Sequence, residues 1–228
     1  TREVECLVVL DSGESDGAGR VVSGSLDMTV RVWDLSSGEC IAVLRGHADA
    51  VMCLAVLDGG GGYGGGRVVS ASADHCVRVW NVNRGTCTAV LEGHVGLVGC
   101  LAVLTGDGSL GTGWIVSASH DRSVRVWDDS GKCLAALTSH EDRVVCLAAL
   151  DGCESGGRRR VVSGSADRTL RVWDVVSGVC IAVLEGHTGP VLGVRALYRS
   201  RSCGAPQVVS GSADYTVRVW DVDRGLCA

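Results

Sequence analysis

Four sets of histidine, serine and aspartate recur along the 228-residue chain: His47, Ser70 and Asp74; His94, Ser117 and Asp121; His140, Ser163 and Asp167; His187, Ser210 and Asp214. These are the residue types of a hydrolase triad, in which serine attacks, histidine moves the proton and aspartate orients the ring. An active site needs one such constellation in one shaped pocket. Here the set returns four times, each time with a tryptophan, Trp80, Trp127, Trp173 and Trp220, ten residues beyond the serine. Residues that repeat in every unit belong to the frame of the fold, so no catalytic residue is assigned. An enzyme would require a nonrepeating cluster of carboxylates, and the sequence offers none.

Other chemical signatures fail for stated reasons. Gly106-Asp-Gly-Ser-Leu-Gly111 matches a dinucleotide fingerprint, yet Trp114-Ile-Val-Ser-Ala-Ser119 after it reads as a strand, with no helix N-terminus to hold a pyrophosphate. Gly59 to Gly66 lacks the Lys and Ser/Thr of a phosphate loop. Twelve cysteines contain no Cys-x-x-Cys, so no metal and no cofactor are expected. Cys6, Cys53, Cys100 and Cys146 fall in one strand of the repeat and Cys40, Cys87, Cys133, Cys180 and Cys227 in another, at opposite edges of a unit. Small buried thiols in a reducing compartment are the expected reading, with Cys76, Cys153 and Cys203 as the exposed exceptions.

The elements behind these residues follow from the period. Trp33, Trp80, Trp127, Trp173 and Trp220 are spaced by 47, 47, 46 and 47 residues, and the shortened interval falls in Asp128-Asp-Ser-Gly-Lys132, a turn. Within each unit four segments alternate apolar with small or polar residues, as in Val51–Leu57, Arg67–Ser72, Cys76–Trp80 and Cys87–Leu91. Period two means strands, and four antiparallel strands every 45 or so residues describe a propeller blade. The expected fold is an all-β propeller of five four-stranded antiparallel blades in a single domain, 1–228. Its units run approximately 1–47, 48–94, 95–140, 141–187 and 188–228, and the last blade lacks most of its outer strand. A ring closed at five blades is the favoured arrangement, and an excerpt of a longer array the alternative.

Gly46-His47, Ser70-Ala-Ser72, Asp74 and Val77-Arg-Val-Trp80 carry a resemblance to the WD-repeat β-propeller family, recurring along essentially the whole chain. Ser139 replaces the glycine before His140, and Asn81 the aspartate after Trp80. The resemblance implies that each His, Ser, Asp and Trp set is a structural tetrad: Asp accepts from His, His bonds the Ser hydroxyl, and the Trp indole donates to Ser. The first unit has Ser23, Asp27 and Trp33 but no histidine, so it is expected to be the loosest.

The same resemblance implies a non-enzymatic scaffold that binds a protein or peptide on one loop face. The matching positions are Met28, His75, Arg122, Arg168 and Tyr215, with Asp49 and Asp142 after two of the histidines. The repeats are most similar to the propellers of F-box-type substrate receptors, in which arginines grip phosphorylated peptides. That likeness would give Arg125 and Arg171 a phosphate-reading role, whereas stems packed between blades are the plainer expectation. Acidic Asp11, Glu14 and Asp16 in the first hairpin, and basic Arg158-Arg-Arg160, Arg195, Arg199 and Arg201 in the last two, suggest solvated turns or a weak patch for an acidic partner.

A net charge of −5 gives no reason to expect a nucleic-acid or membrane-surface partner. No run of about 18 apolar residues and no signal-peptide pattern is present, so a cytoplasmic or nuclear setting is expected. The chain should be a monomer if its ring closes. If it stays open, the incomplete fifth blade offers an edge for self-association, which would make the chain an architectural module.

Overall fold

The computed structural model describes residues 2–10, 19–57, 66–104, 113–150, 159–197 and 206–227. Among the described residues Val-rich alternation produces twenty strands in five sheets. Blade 1 holds β1 (Val4–Leu10), β2 (Arg20–Ser25), β3 (Val30–Asp34) and β4 (Cys40–Leu44). Blade 2 holds β5 (Val51–Val56), β6 (Arg67–Ser72), β7 (Val77–Asn81) and β8 (Thr86–Leu91), and blade 3 holds β9 (Val98–Leu104), β10 (Trp114–Ser119), β11 (Ser123–Trp127) and β12 (Cys133–Thr138). Blade 4 holds β13 (Val144–Leu150), β14 (Arg160–Ser165), β15 (Leu170–Asp174) and β16 (Val179–Leu184), and blade 5 holds β17 (Val191–Leu197), β18 (Gln207–Ser212), β19 (Val217–Asp221) and β20 (Leu226–Cys227). Every sheet is an antiparallel meander in chain order, and the fifth ends on a two-residue strand, as the repeat alignment requires. No described helix is long and apolar enough to cross a membrane.

The core lies between blades, not within them. Val22, Val30, Val32 and Leu44 of blade 1 interlock with Val51, Leu54, Trp80 and Val82 of blade 2. The same positions form the seams from blade 2 to 3, 3 to 4 and 4 to 5. Four of the tryptophans are buried there, each removing roughly 200 Å² from water, which is worth about 5 kcal/mol at 25 cal/mol/Å². Polar latches span three seams: Arg20 Nη1 donates to Asn83 Oδ1 at 2.7 Å, Arg67 Nη1 to Asp129 Oδ2 at 2.9 Å, and Arg160 Nη1 to Asp223 Oδ1 at 2.8 Å. At the fourth seam Trp114 replaces the arginine, and Arg159 lies over its ring at 4.3 Å.

Two expectations are corrected here. No hydrophobic cluster joins blade 5 to blade 1 among the described residues, so the five blades form an open arc rather than a closed ring. Val217 of blade 5 is 73% exposed, where its counterparts Val30, Val77, Val124 and Leu170 are fully buried; Leu7 of blade 1 is 63% exposed, where Leu54, Leu101 and Leu147 are buried. A blade face is covered only by its neighbour, and the turn per seam does not bring the fifth round to the first. The second correction concerns the basic hairpins. Arg159 and Arg160 are engaged at seams with Trp114 and Asp223, and are not a free patch. Asp11, Glu14, Asp16, Gly59–Tyr63, Gly106–Gly111, Arg158, Arg199, Arg201, Cys153 and Cys203 lie outside the described residues.

Candidate functional site

The tetrads are built as a chain of hydrogen bonds across each seam. In blade 2, His47 Nδ1 lies 2.7 Å from Asp74 Oδ2, its Nε2 2.7 Å from Ser70 Oγ, and Trp80 Nε1 donates to that oxygen at 2.7 Å. Because Ser70 accepts from the indole, its own hydrogen is free for His47 Nε2, and Nδ1–H then donates to the carboxylate. The distances repeat within 0.1 Å at His94, Asp121, Ser117 and Trp127, at His140, Asp167, Ser163 and Trp173, and at His187, Asp214, Ser210 and Trp220. The serines are sealed from solvent and already carry two partners, so none is available as a nucleophile. In blade 1, Arg31 Nη2 sits 3.1 Å from Asp27 Oδ2, where the other blades have a histidine.

Electrostatics follow from this burial. Desolvation lowers the pKa of His47, His94 and His140 despite each carboxylate partner, keeping the rings neutral. Burial pushes Asp121 and Asp167 upward, but hydrogen bonds outweigh it and hold both at about 2; the largest come from Ser123 and Thr169 hydroxyls, with His94 and His140 adding to them.

The tetrad aspartate also shapes the turn that leads to the third strand. Asp74 Oδ1 accepts the Cys76 N–H at 2.9 Å and Oδ2 the Ala48 N–H at 2.9 Å, while Ser72 Oγ accepts from Asp74 N–H and donates to the Asp49 carbonyl. These bonds close a tight turn around the residue between Asp74 and Cys76. His75 therefore takes φ 71°, and its equivalents do the same: Met28 at 68°, Arg122 at 71°, Arg168 at 73° and Tyr215 at 65°. Among the described residues these five are the only non-glycines with positive φ. Each side chain is exposed, Tyr215 completely. The structure thus sets all five expected binding positions at one end of successive blades in one backbone conformation. The left-handed turn itself was not read from the sequence, although aspartate two residues before Thr, Ser or Cys signals it.

Asp49 and Asp142 stand exposed on the connections between blades, two residues after His47 and His140, each accepting the next residue's N–H at 2.7 Å. The corresponding Gly96 and Gly189 are small for a packing reason: a Cβ there would lie 2.9 and 2.8 Å from the backbone nitrogens of Asp121 and Asp214. Val95, next to His94, is 80% exposed and was not singled out by sequence.

Arg125 and Arg171 do not join that face. Each is half-buried on a third strand, with Nη1 3.8 and 3.9 Å from the Sγ of Cys133 and Cys180. Arg78, Arg125 and Arg218 are wedged beside the tryptophan under Gly46, Gly93 and Gly186, so a side chain there would meet a guanidinium, and these glycines take φ near +150°. Ser139, in the third copy, has no positive φ, so the substitution is accommodated by the backbone. Asn81 caps its turn through Oδ1 to Arg84 N–H, the role aspartate plays elsewhere.

The cysteine expectation needs amendment. Cys40, Cys87 and Cys227 are exposed, because the fourth strand is the outer rim of a blade, and Cys76 is half-buried. Cys53 and Cys100, on neighbouring inner strands, point their thiols at the Leu54 and Leu101 carbonyls at 3.8 and 3.9 Å; the nearby Cys100 thiol and burial push Cys53 up. Among the described residues no group of three or more His, Cys, Asp or Glu side chains is arranged to hold a metal.

The model of the WD domain, G-beta repeat, matches residues 2–34, 38–81, 85–128, 131–174 and 178–221. The chain belongs to the WD-repeat family. Curated relatives share only short stretches with this WD-repeat chain. Mitochondrial division protein 1 of Phaeosphaeria nodorum is 58% identical over 33 residues, 14% of this chain and 5% of that protein. The proteins of the same name from Malassezia globosa and Mycosarcoma maydis are 54% identical over 37 residues (16% and 6%) and 64% identical over 33 (14% and 4%). The chain spans about a twentieth of these relatives, and each match is shorter than one repeat. They are division proteins, so the finer likeness to F-box-type receptors gains no support from them.

Proposed function

We propose that the chain is a non-enzymatic interaction scaffold that holds a protein or peptide partner on the turn face carrying Met28, His75, Arg122, Arg168 and Tyr215, flanked by Asp49 and Asp142. The observation that carries this reading is the fivefold left-handed turn. A non-glycine residue in that region costs of order 1 kcal/mol, and the fold sustains it in every blade while the exposed side chain changes from blade to blade. A constant frame with variable, outward-held side chains suits recognition. The two arginines on neighbouring blades, with Tyr215 beyond them, suit a partner segment that offers carboxylates and an apolar surface.

The short likeness to mitochondrial division proteins is consistent with a scaffold but brings no partner with it. In-register free thiols support work in a reducing compartment, cytoplasmic or nuclear.

The test is panning of a displayed random-peptide library on the chain, followed by titration of the selected peptides. Arg122→Glu, Arg168→Glu and Tyr215→Ala should each weaken binding at least tenfold with the melting temperature kept. Peptides that bind these variants and the parent chain equally would overturn the reading.

A further inference from the structure

The outer rim repeats one contact that neither the tetrads nor the turn face uses. In blades 2 to 5 the third-strand arginine brings Nη1 to the fourth-strand thiol: Arg78 to Cys87 and Arg125 to Cys133 at 3.8 Å, Arg171 to Cys180 at 3.9 Å, and Arg218 to Cys227 at 4.0 Å. Strand pairing sets this up. Trp80 faces Cys87 across the ladder, and Arg78, two residues earlier on the same side of β7, reaches diagonally to the sulfur.

The contact is chemically incomplete. A thiol sulfur is a weak acceptor, and Cys87 already directs its own hydrogen to the Ala89 carbonyl at 3.3 Å, which leaves a sulfur lone pair for the guanidinium. The Nε–H groups of Arg78, Arg125, Arg171 and Arg218 are buried with no acceptor, a costly state for a donor. Arg78 has little freedom to turn elsewhere, since Trp80 and the Gly46 turn hold it. An oxygen on the sulfur would change this balance, because it accepts far better than sulfur and a guanidinium bond to it is charge-assisted. Cys87 is the internal member of the set that reagents reach: it is exposed, whereas Cys133 and Cys180 are half-buried.

We propose that Cys87 is a site of reversible oxidation by hydrogen peroxide, its sulfenic oxygen held by the Arg78 guanidinium. Sγ attacks one peroxide oxygen; the S–O bond forms as the O–O bond breaks, sulfur gives up two electrons, and the departing hydroxide takes the thiol proton and leaves as water. Arg78 Nη1 stabilises the charge that develops on the departing oxygen. A small thiol such as glutathione reverses the change: it condenses with the sulfenic acid to a mixed disulfide, releasing water, and a second thiol then displaces Cys87 as the free thiol and leaves with the first as their disulfide. The site lies on the outer rim, so it does not depend on what the turn face binds.

The test treats the 228-residue chain with limiting hydrogen peroxide in the presence of a cyclic diketone that traps sulfenic acids, and locates the trapped cysteines by tandem mass spectrometry. Cys87 should be trapped about fivefold faster in the folded chain than in the same chain unfolded in urea, although unfolding exposes it fully. Arg78→Gln should lower the folded rate about fivefold, while Cys133, whose Arg125 is intact, keeps its own rate and shows that the blades still form. Trapping of Cys87 that is as fast or faster in urea, or an Arg78→Gln chain in which Cys87 and Cys133 both keep their rates, would overturn the inference.

Discussion

Arg31 occupies in the first blade the place at Asp27 that a histidine holds in the other four: its Nη2 is 3.1 Å from Asp27 Oδ2, against 2.7 Å for His47 Nδ1 and Asp74 Oδ2. The arginine is partly exposed and its side chain bonds Asp27 and Thr29, not the Ser23 hydroxyl, which keeps its bond from Trp33 at 2.8 Å. The aspartate is therefore satisfied while the tetrad remains one member short.

Arg31→Ala should cost less than about 1 kcal/mol, as expected for a solvent-accessible ion pair. Urea unfolding followed by tryptophan fluorescence checks this. A loss as large as that of a buried histidine would mean that Arg31 substitutes fully for the ring.

Acid should destabilise the fold in two stages. His47, His94 and His140 have folded pKa values below the ordinary 6.5, so the unfolded chain takes up protons first and stability begins to fall as pH drops through about 6.5. Asp121 and Asp167, at about 2 against 3.8, contribute stability above about 3.8 that is lost as pH falls towards 2. Denaturation midpoints across this range should decline monotonically on acidification; a rise would show that the histidines are charged in the fold.

Gly93→Ala should destabilise by about 1–3 kcal/mol, since φ is 151° and the new Cβ would sit 2.9 Å from Arg125 Nη1. Ser139→Gly, where the backbone has left that region, should change stability by only about 0.5 kcal/mol. Thermal melts of the two variants side by side give the comparison.

Replacing a turn residue by glycine should separate stability from recognition. Arg168→Gly removes the left-handed penalty and should raise stability by about 0.5–1 kcal/mol while weakening peptide binding. A variant that loses both would show that Arg168 is a packing residue.

The strands and tetrads were legible because tryptophan, histidine and aspartate keep their spacing, and a period of 46–47 residues leaves little freedom in blade design. The positions of Met28, His75, Arg122, Arg168 and Tyr215 were legible for the same reason, but not their shared left-handed backbone, which arises from the bonds of the neighbouring aspartate to main-chain N–H groups. Closure of the ring was misjudged because the angle between blades is a sum of small rotations at each seam, encoded by no single residue. Rim exposure of Cys40 and Cys87 escaped too: a periodic position shows that a residue is equivalent in every blade, not which side of the blade is covered.

The most direct test of the central reading, that the recurring His, Ser and Asp sets are structural, is calorimetric unfolding of His47→Ala, His94→Ala, His140→Ala and His187→Ala. Each leaves a sealed serine and an aspartate short of a partner, so all four should lose about 2–3 kcal/mol, alike within the scatter of such measurements. One variant that keeps its stability but abolishes a catalytic turnover the other three retain would contradict it.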